Sequence, residues 1–368
     1  MAIDHLRVLL LADSHLGVDL PTRTRVERRR RGDDFLANYA AALAPALRGE
    51  VDVVVHGGDM FDRPRVPSSL VYQALEPLAA VAARGFPVFI VPGNHERSIL
   101  PHNHLAAHDG VHVFHRPRTV VVEVRGHRIA FSGFPFERRD VRTRFTALLE
   151  DSGWQQAGAD VRLLCIHHCV EGATVGPADY TFRSAADVIR VRDVPAAFAA
   201  VLSGHIHRHQ VLTRDLQGRS LATPVLYPGS IERTSFAEAG EAKGFMVLHL
   251  PLDGSRDDLR WEFRPLPARP MLERPLAAAG LSAAQFETAV HTIVSTAPAD
   301  AVLTIRVTGS PLSYLSMARL RALAPVTMNV ELRWVDRVHA VSRATSLPRS
   351  RRGRGQSAAD TGNLTLDL

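Results

Sequence analysis

Residues 6–15 read LRVLLLADSH: an apolar run, then Asp13, Ser14 and His15. The same arrangement recurs four times. VDVVV leads to Gly57-Gly58-Asp59, PVFIV to Gly93-Asn94-His95-Glu96, VRLLCI to His167, and AAVL to Gly204-His205-Ile206-His207. Short apolar runs rich in Val, Ile and Leu are the mark of strands buried on both faces. Side chains that follow several such strands gather at one rim of a sheet, where α/β proteins place their sites. One Asp-x-His is an ordinary polar loop. Five carboxylate, imidazole and amide segments in this order describe a two-metal hydrolase centre.

Outward from these segments, the chain alternates strand and helix. Residues 33–49 (DDFLANYAAALAPALRG) read as a helix with Asp33 or Asp34 as cap and Gly49 as stop, and residues 68–85 read as a second, from Ser68 or Ser69 to Gly85. This βαβαβ start implies a parallel sheet. TVVVEV and RIAFSGF form a hairpin around Gly126, residues 142–153 a short helix, and residues 187–201 a weak helix or loop. Antiparallel strands with turns at Gly218 and Gly254 follow. The expected architecture is α/β: two sheets packed together with helices outside.

Residues 264–275 (RPLPARPMLERP) carry Pro and Arg without an apolar period and mark a boundary. The expected domains are 1–264, a small α+β unit at 276–340 beginning with a helix capped by Ser282 and carrying a second helix over residues 310–324, and a tail at 341–368. That tail is Arg-, Ser- and Gly-rich and is expected to be disordered.

The composition of the 368-residue chain, 46% hydrophobic and 22% charged, fits a globular protein and excludes a disordered one. No stretch approaches the roughly 18 apolar residues of a membrane span. The first strand begins almost at once, leaving no room for an export signal, and only Cys165 and Cys169 are present, so a cytoplasmic location is expected. The C-x3-C spacing around His167 is read as core packing of Cys165 rather than a zinc site. A net charge of +6 does not by itself require a polyanionic partner. Arginines do cluster at residues 22–34, next to the first ligand pair, and at residues 348–355.

Mixed oxygen and nitrogen donors suit borderline divalent ions such as Mn²⁺, Fe²⁺ or Zn²⁺. Two ions roughly 4 Å apart need a bridging carboxylate, and Asp59 sits in the middle of the series. Asp13 and His15, two apart, fall on one side of an extended chain, as do His205 and His207. Asn94 offers a neutral oxygen to the second ion. His95 is left free of metal. Such ions activate a water for in-line attack on phosphorus, and an imidazole, with its ordinary pKa of about 6.5, suits protonation of the departing alkoxide. Glu96 or Asp62 is placed to orient a neighbouring histidine. His56 reads as structural, and His102, His104 and His108 as loop residues.

The series D-x-H, G-D-x-x-D, G-N-H-E, H, G-H-x-H resembles the calcineurin-like metallophosphoesterases, and more narrowly the SbcD-type DNA repair nucleases. LLADSHLG, GGDMFDRPRVPS and YPGSIERTSFAEAGEAKGF (residues 227–245) support the narrower likeness, which is strong over about residues 6–250. It implies a four-layer α/β/β/α sandwich with a small C-terminal capping domain. It also implies two divalent ions, Mn²⁺ foremost. The first would be held by Asp13, His15, Asp59 and His207, and the second by Asp59, Asn94, His167 and His205. His95 would be the general acid and Asp62 a substrate-positioning residue. His167, not His168, takes the metal role, from the pattern H-x-x-x-E-G. DNA ends are the implied substrate, contacted by Arg23, Arg25, Arg28 and Arg63. A homodimer and an SbcC-like coiled-coil ATPase are the implied partners. Family members continue past the cap into helices that dock on that ATPase. Here residues 341–368 follow, so docking is either absent or uses another surface. A small-molecule phosphodiesterase or phosphatase with the same centre is the alternative reading, and a non-catalytic DNA-end scaffold a third.

Overall fold

The computed structural model describes residues 5–19, 28–96, 108–253, 258–312 and 314–335. The first elements are β1 (His5–Leu11), α1 (Arg31–Leu47), β2 (Val53–His56), α2 (Ser68–Ala83), β3 (Val88–Ile90) and β4 (Val111–Val113). Strands β1 to β4 lie parallel and in sequence order. Helix α1 starts earlier than the aspartates suggested. Asp33 occupies the third helical position and accepts the Arg30 backbone N–H at 3.0 Å, the reaching-back half of a capping box.

Then come β5 (Arg118–Val124), β6 (His127–Gly133), α3 (Val141–Asp151) and β7 (Val161–Ile166). Two small ladders pair β8 (Cys169–Val170) with β11 (Val188–Ile189), and β9 (Thr174–Val175) with β10 (Tyr180–Thr181). The run continues with β12 (Ala200–Ser203), β13 (Gln210–Arg214), β14 (Ser220–Tyr227), β15 (Gly244–Pro251) and β16 (Arg260–Pro265). One sheet has the order β16-β15-β1-β2-β3-β4 and the other β13-β14-β12-β7-β6-β5. The hairpins β5–β6, β13–β14 and β15–β16 are antiparallel. Gly218 lies in the turn of the second, and Gly254 falls outside the described residues.

Period-two alternation builds the layers. Leu9 and Leu11 of β1 face α1 and α2, with Val54, Ile90, Phe35 and Leu78. Val8 and Leu10 face the second sheet, among Val53, Phe89, Phe131, Leu163 and Leu202. Helix α3 covers the far face of that sheet through Phe145 and Leu149 against Leu164 and Ile166. The result is α/β/β/α. Each fully buried aliphatic or aromatic side chain contributes roughly 1.5–3 kcal/mol to holding the layers together. Cys165 lies between the sheets and Cys169 under α3, both as free thiols.

The C-terminal unit consists of β17 (Met271–Ala277), α4 (Ala283–Thr296), β18 (Val302–Thr308), α5 (Met317–Leu323) and β19 (Asn329–Val335). Its three strands are parallel in the order β17-β18-β19. Ser282 caps α4, its side chain accepting the Gln285 N–H. Two expectations change here. MLERPLA is a strand, not irregular linker; Pro275 is tolerated because β17 is an edge strand. Helix α5 is shorter than residues 310–324, because Ser316 caps it from within that stretch by accepting the Arg319 N–H at 3.2 Å. The expected tail at 341–368 lies outside the described residues.

Candidate metal centre

All five ligand segments leave the carboxyl ends of β1, β2, β3, β7 and β12, the first three in one sheet and the last two in the other. Backbone bonds tie these loops together: Asp13 N–H to Gly58 O at 2.9 Å, His15 N–H to Asp59 O at 3.0 Å, Gly204 N–H to Ile166 O at 3.3 Å. Convergence does not use extended backbone, as the two-apart spacing had implied. Asp13, His15, Asp59 and His205 all have positive φ, at 49°, 40°, 50° and 84°. Four strained non-glycine residues in one place mark a backbone bent to serve a site.

Two clusters of metal-competent donors result: Asp13, His15 and His207, and Asp59, His167 and His205. A further grouping, His15, Asp62 and His95, adjoins them. His15 Nε2 lies 3.0 Å from His207 Nε2, and Asp13 Oδ1 lies 4.0 Å from the latter. Asn94 Oδ1 is 3.0 Å from both His167 Nε2 and His205 Nδ1. The Asp59 carboxylate stands between the clusters, with Oδ2 at 3.3 Å from His167 Nε2, 3.8 Å from His95 Nε2 and 4.0 Å from His15 Nε2.

The donor chemistry fits cations. The Gly57 carbonyl can only accept, so His167 Nδ1 donates to it at 2.8 Å. In the neutral ring, the Nε2 lone pair then faces Asn94 Oδ1 and Asp59 Oδ2, which are also acceptors. Three acceptors converging on one point need a proton or a metal ion between them. Without metal a proton does this: burial pulls His167 down, but the Asp59 and Asp13 carboxylates outweigh it and raise its pKa to about 9. Burial and the neighbouring imidazoles instead hold His15 well below the usual range and His205 at about 3, so both rings are neutral and ready to ligate.

His95 differs. Its Nδ1 donates to the Asp62 backbone carbonyl at 2.7 Å, its backbone N–H to Asp59 Oδ1 at 2.9 Å, and its side chain keeps 22% exposure. Nε2 is thereby aimed at the rim between the clusters. Asp62 therefore orients His95 through its main chain, while its carboxylate pairs with Arg63 at 3.1 Å. Glu96 touches no imidazole in the described hydrogen bonds. It is buried and accepts the backbone N–H groups of Phe61 at 2.7 Å and Gly93 at 2.9 Å. Burial and then the Asp59 charge push Glu96 up to about 8. It braces the Asp59 and Asn94 loops through their backbone, and the contact to a histidine ring is made by Asp62.

The family model of the calcineurin-like phosphoesterases matches residues 6–209. This chain belongs to that family. The phosphoesterase is 25% identical over 273 residues to SbcD of the nuclease SbcCD from Bacillus subtilis, covering 66% of each chain. It is 27% identical over 240 residues to the DNA double-strand break repair protein Mre11 of Aeropyrum pernix, covering 61% of this chain and 53% of that protein. It thus spans between half and two thirds of the length of these relatives. Among solved structures it is similar to a dimetal phosphatase from Danio rerio, with 14% identity, a TM-score of 0.41, and coverage of 67% of this chain and 92% of that one. Membership of the family implies divalent metal ions, for which the His/Asp clusters offer the donors. Among the described residues, no helix is long and apolar enough to cross a membrane.

Several residues of the phosphoesterase site escaped the motif reading. Glu238 Oε1 accepts from His207 Nδ1 at 3.0 Å, and Glu238 Oε2 meets Lys243 Nζ at 2.8 Å. Thr234 Oγ1 adds a bond to Glu238 at 2.6 Å. Lys243 is fully buried and also reaches Glu241 at 2.9 Å and the His207 carbonyl at 2.8 Å. Burial opposes the charge on Glu238, but its bonds to His207 and Lys243 hold its carboxyl far below the ordinary range. These bonds fix the orientation of the His207 ring, as outer partners do for ligating histidines. The one signal for it in the sequence is the resemblance of residues 227–245.

His168 belongs to neither cluster. It stacks on Phe136 at 4.8 Å and receives the Glu137 N–H at 3.0 Å. His56 accepts the Gly58 N–H at 3.3 Å and contacts Ser14 Oγ at 2.9 Å, a structural prop beneath the first loop. Of the arginines named for DNA, Arg23 and Arg25 lie outside the described residues, as do His102 and His104. Arg63 is exposed at the rim, whereas the Nη donors of Arg28 are all taken up by carbonyls of the C-terminal unit, which leaves them none to offer DNA.

Proposed function

We propose that the chain is a metal-dependent phosphodiesterase that cleaves DNA at or near ends. The observation that carries this reading is the pair of donor clusters meeting at Asp59, with His95 held at their shared rim. Asp13, His15, Asp59 and His207 are assigned to one ion, and Asp59, Asn94, His167 and His205 to the other. When bound, two such ions, Mn²⁺ foremost, supply Lewis-acid activation of the phosphoryl group and of a water.

The chain's own residues do the rest. Asp59 spaces the two donor clusters. The Glu238–Lys243 pair holds His207 with Nε2 inward, and the Gly57 carbonyl does the same for His167. His95, its Nδ1 committed to Asp62 O, has Nε2 free to give a proton to the departing 3′- or 5′-oxygen. DNA as substrate is supported by the names of the relatives, part of a nuclease and double-strand break repair proteins. Contact to DNA would run through phosphates, without sequence reading. Purified protein with Mn²⁺ is expected to degrade linear DNA with free ends. Hydrolysis of mononucleotide esters with no cleavage of any DNA would overturn the proposal.

A further inference from the structure

Arg269 is buried and uses all five of its N–H donors. Nε donates to Asp300 O at 2.6 Å, Nη1 to Asp34 Oδ2 at 2.8 Å and Asn329 Oδ1 at 2.7 Å, and Nη2 to Thr327 O at 2.7 Å and Ala301 O at 3.4 Å. Asp34 belongs to α1 of the sandwich. The other four acceptors lie at the amino ends of β18 and β19 in the C-terminal unit. One guanidinium on the connector thus pins the two units together.

A second arginine grips the same C-terminal unit. Arg28, just before α1, donates to Pro325 O at 2.7 Å, Met328 O at 2.9 Å, Arg321 O at 2.6 Å and Ala324 O at 3.2 Å. These carbonyls lie at and beyond the carboxyl end of α5, the end that favours a cation. Arg29 N–H to Val326 O at 3.0 Å and Asn329 Nδ2 to Arg29 O at 3.1 Å extend the same seam.

Beside the seam is a cleft of about 600 Å³. One wall is the helix-free face of the cap sheet, with Thr304, Glu331 and Arg333; the other holds Arg30, Arg31 and Thr234. Thr234 bonds Glu238, which bonds His207, so this wall is tied by hydrogen bonds to the metal centre. The pin is continuous with it too: Arg233 Nη1 donates to Arg269 O at 3.1 Å, and the Arg233 N–H donates to Glu232 at 2.7 Å, in the same loop as Thr234 and Glu238.

We infer that Arg269 and Arg28 form a latch that sets the width of this cleft, and that the latch selects for polymeric substrate. Both are positioning residues. The inference rests on the phosphodiesterase reading above. A nucleic acid reaching the centre along this wall must span both units, whereas a small diester needs the centre alone. Opening the latch then weakens productive binding of the polymer and leaves the intrinsic chemistry unchanged.

The test uses the full chain loaded with Mn²⁺, with Arg28→Ala and Arg28→Lys as the half-exposed variants and Arg269→Met as the buried one. Bis(p-nitrophenyl) phosphate and a linear duplex of about thirty base pairs are the substrates. Arg28→Ala should lose at least tenfold in kcat/KM on the duplex, mainly through KM, and stay within twofold on the small diester. Arg28→Lys should recover part of the loss. Equal losses on both substrates, or none on either, would overturn the selective role. The latch itself is read without DNA, by amide exchange in β18 and β19. Either the alanine or the methionine variant should speed exchange there and spare β1 and β2, and unchanged exchange would overturn it. If wild type hydrolyses the diester and no DNA, it is the nuclease reading that fails, and amide exchange still judges the latch.

Discussion

His167 Nε2 lies 3.3 Å from Asp59 Oδ2, with both side chains buried and the opposite ring nitrogen tied to a backbone carbonyl. Nothing but a proton or a metal ion can occupy the point between them favourably. Most of the behaviour of the centre follows from that competition.

Metal uptake should therefore release protons. His167 is raised to about 9, so near pH 7.5 the metal-free ring is protonated and must lose about one proton to ligate. His207 is also raised, against burial, by its bond to Glu238 and adds to the release. For a group raised in the folded state, the stabilising ion pair is complete below the unfolded value of about 6.5 and fades as pH rises through about 9. Metal-free protein should accordingly lose stability over that window. Metal affinity should climb over the same window, by up to about tenfold per pH unit for one proton, and level off above it. Calorimetry in buffers of different ionisation heat reads the proton count directly. A binding heat independent of buffer would contradict this account.

Glu238 should control metal affinity without touching metal. Glu238→Gln keeps an acceptor for His207 Nδ1 but removes the charge that pairs with buried Lys243. Loss of such outer support typically costs about 10- to 100-fold in affinity. A buried ammonium with one carboxylate fewer adds roughly 1–3 kcal/mol of destabilisation. Titration of metal-free protein with Mn²⁺, alongside thermal unfolding, separates the two effects. Wild-type affinity in the variant would show that the pair is merely structural.

The strand ends, the donor types and the α/β/β/α layering were readable from sequence because burial on both faces writes itself as apolar runs, and ligands follow those runs. The supports were not. Glu238 and Lys243 lie in a loop with no apolar period, and their value comes only from meeting His207 across the fold. Strand β17 was hidden because an edge strand tolerates the Arg and Pro that disguised it as linker. Asp13 and His15 do converge, but through positive φ rather than an extended chain, and positive φ at aspartate or histidine leaves no mark in the residue type.

His95→Asn should separate metal binding from proton donation. The ring's Nδ1 is held by Asp62 O and its Nε2 points at the rim, so its removal leaves the cluster donors in place. A positioned acid contributes about 10²- to 10⁴-fold when the leaving group is a poor one. The variant should retain wild-type metal content, lose that factor on DNA, and lose far less on a p-nitrophenyl ester, whose leaving group needs no proton. Equal loss on both esters would argue against the acid role, and loss of metal would place His95 among the ligands.

Gly93→Ala tests how tightly the centre is built. A β-carbon there would sit 2.1 Å from Asp59 Oδ1 and 2.4 Å from the Asp59 backbone nitrogen. Neither atom can retreat: the carboxylate accepts the His95 N–H at 2.9 Å, and the Asp59 carbonyl accepts the His15 N–H at 3.0 Å. Overpacking of this kind costs about 1–3 kcal/mol or more, and here it displaces the residue placed between both clusters. The variant should unfold at lower temperature and bind less than half the wild-type metal. Gly240→Ala is the matched control, because a β-carbon there meets nothing within 4 Å. Metal stoichiometry by elemental analysis and melting by circular dichroism read both variants. Full occupancy in Gly93→Ala would mean that Asp59 can shift without losing either ion, which the packing around it does not allow.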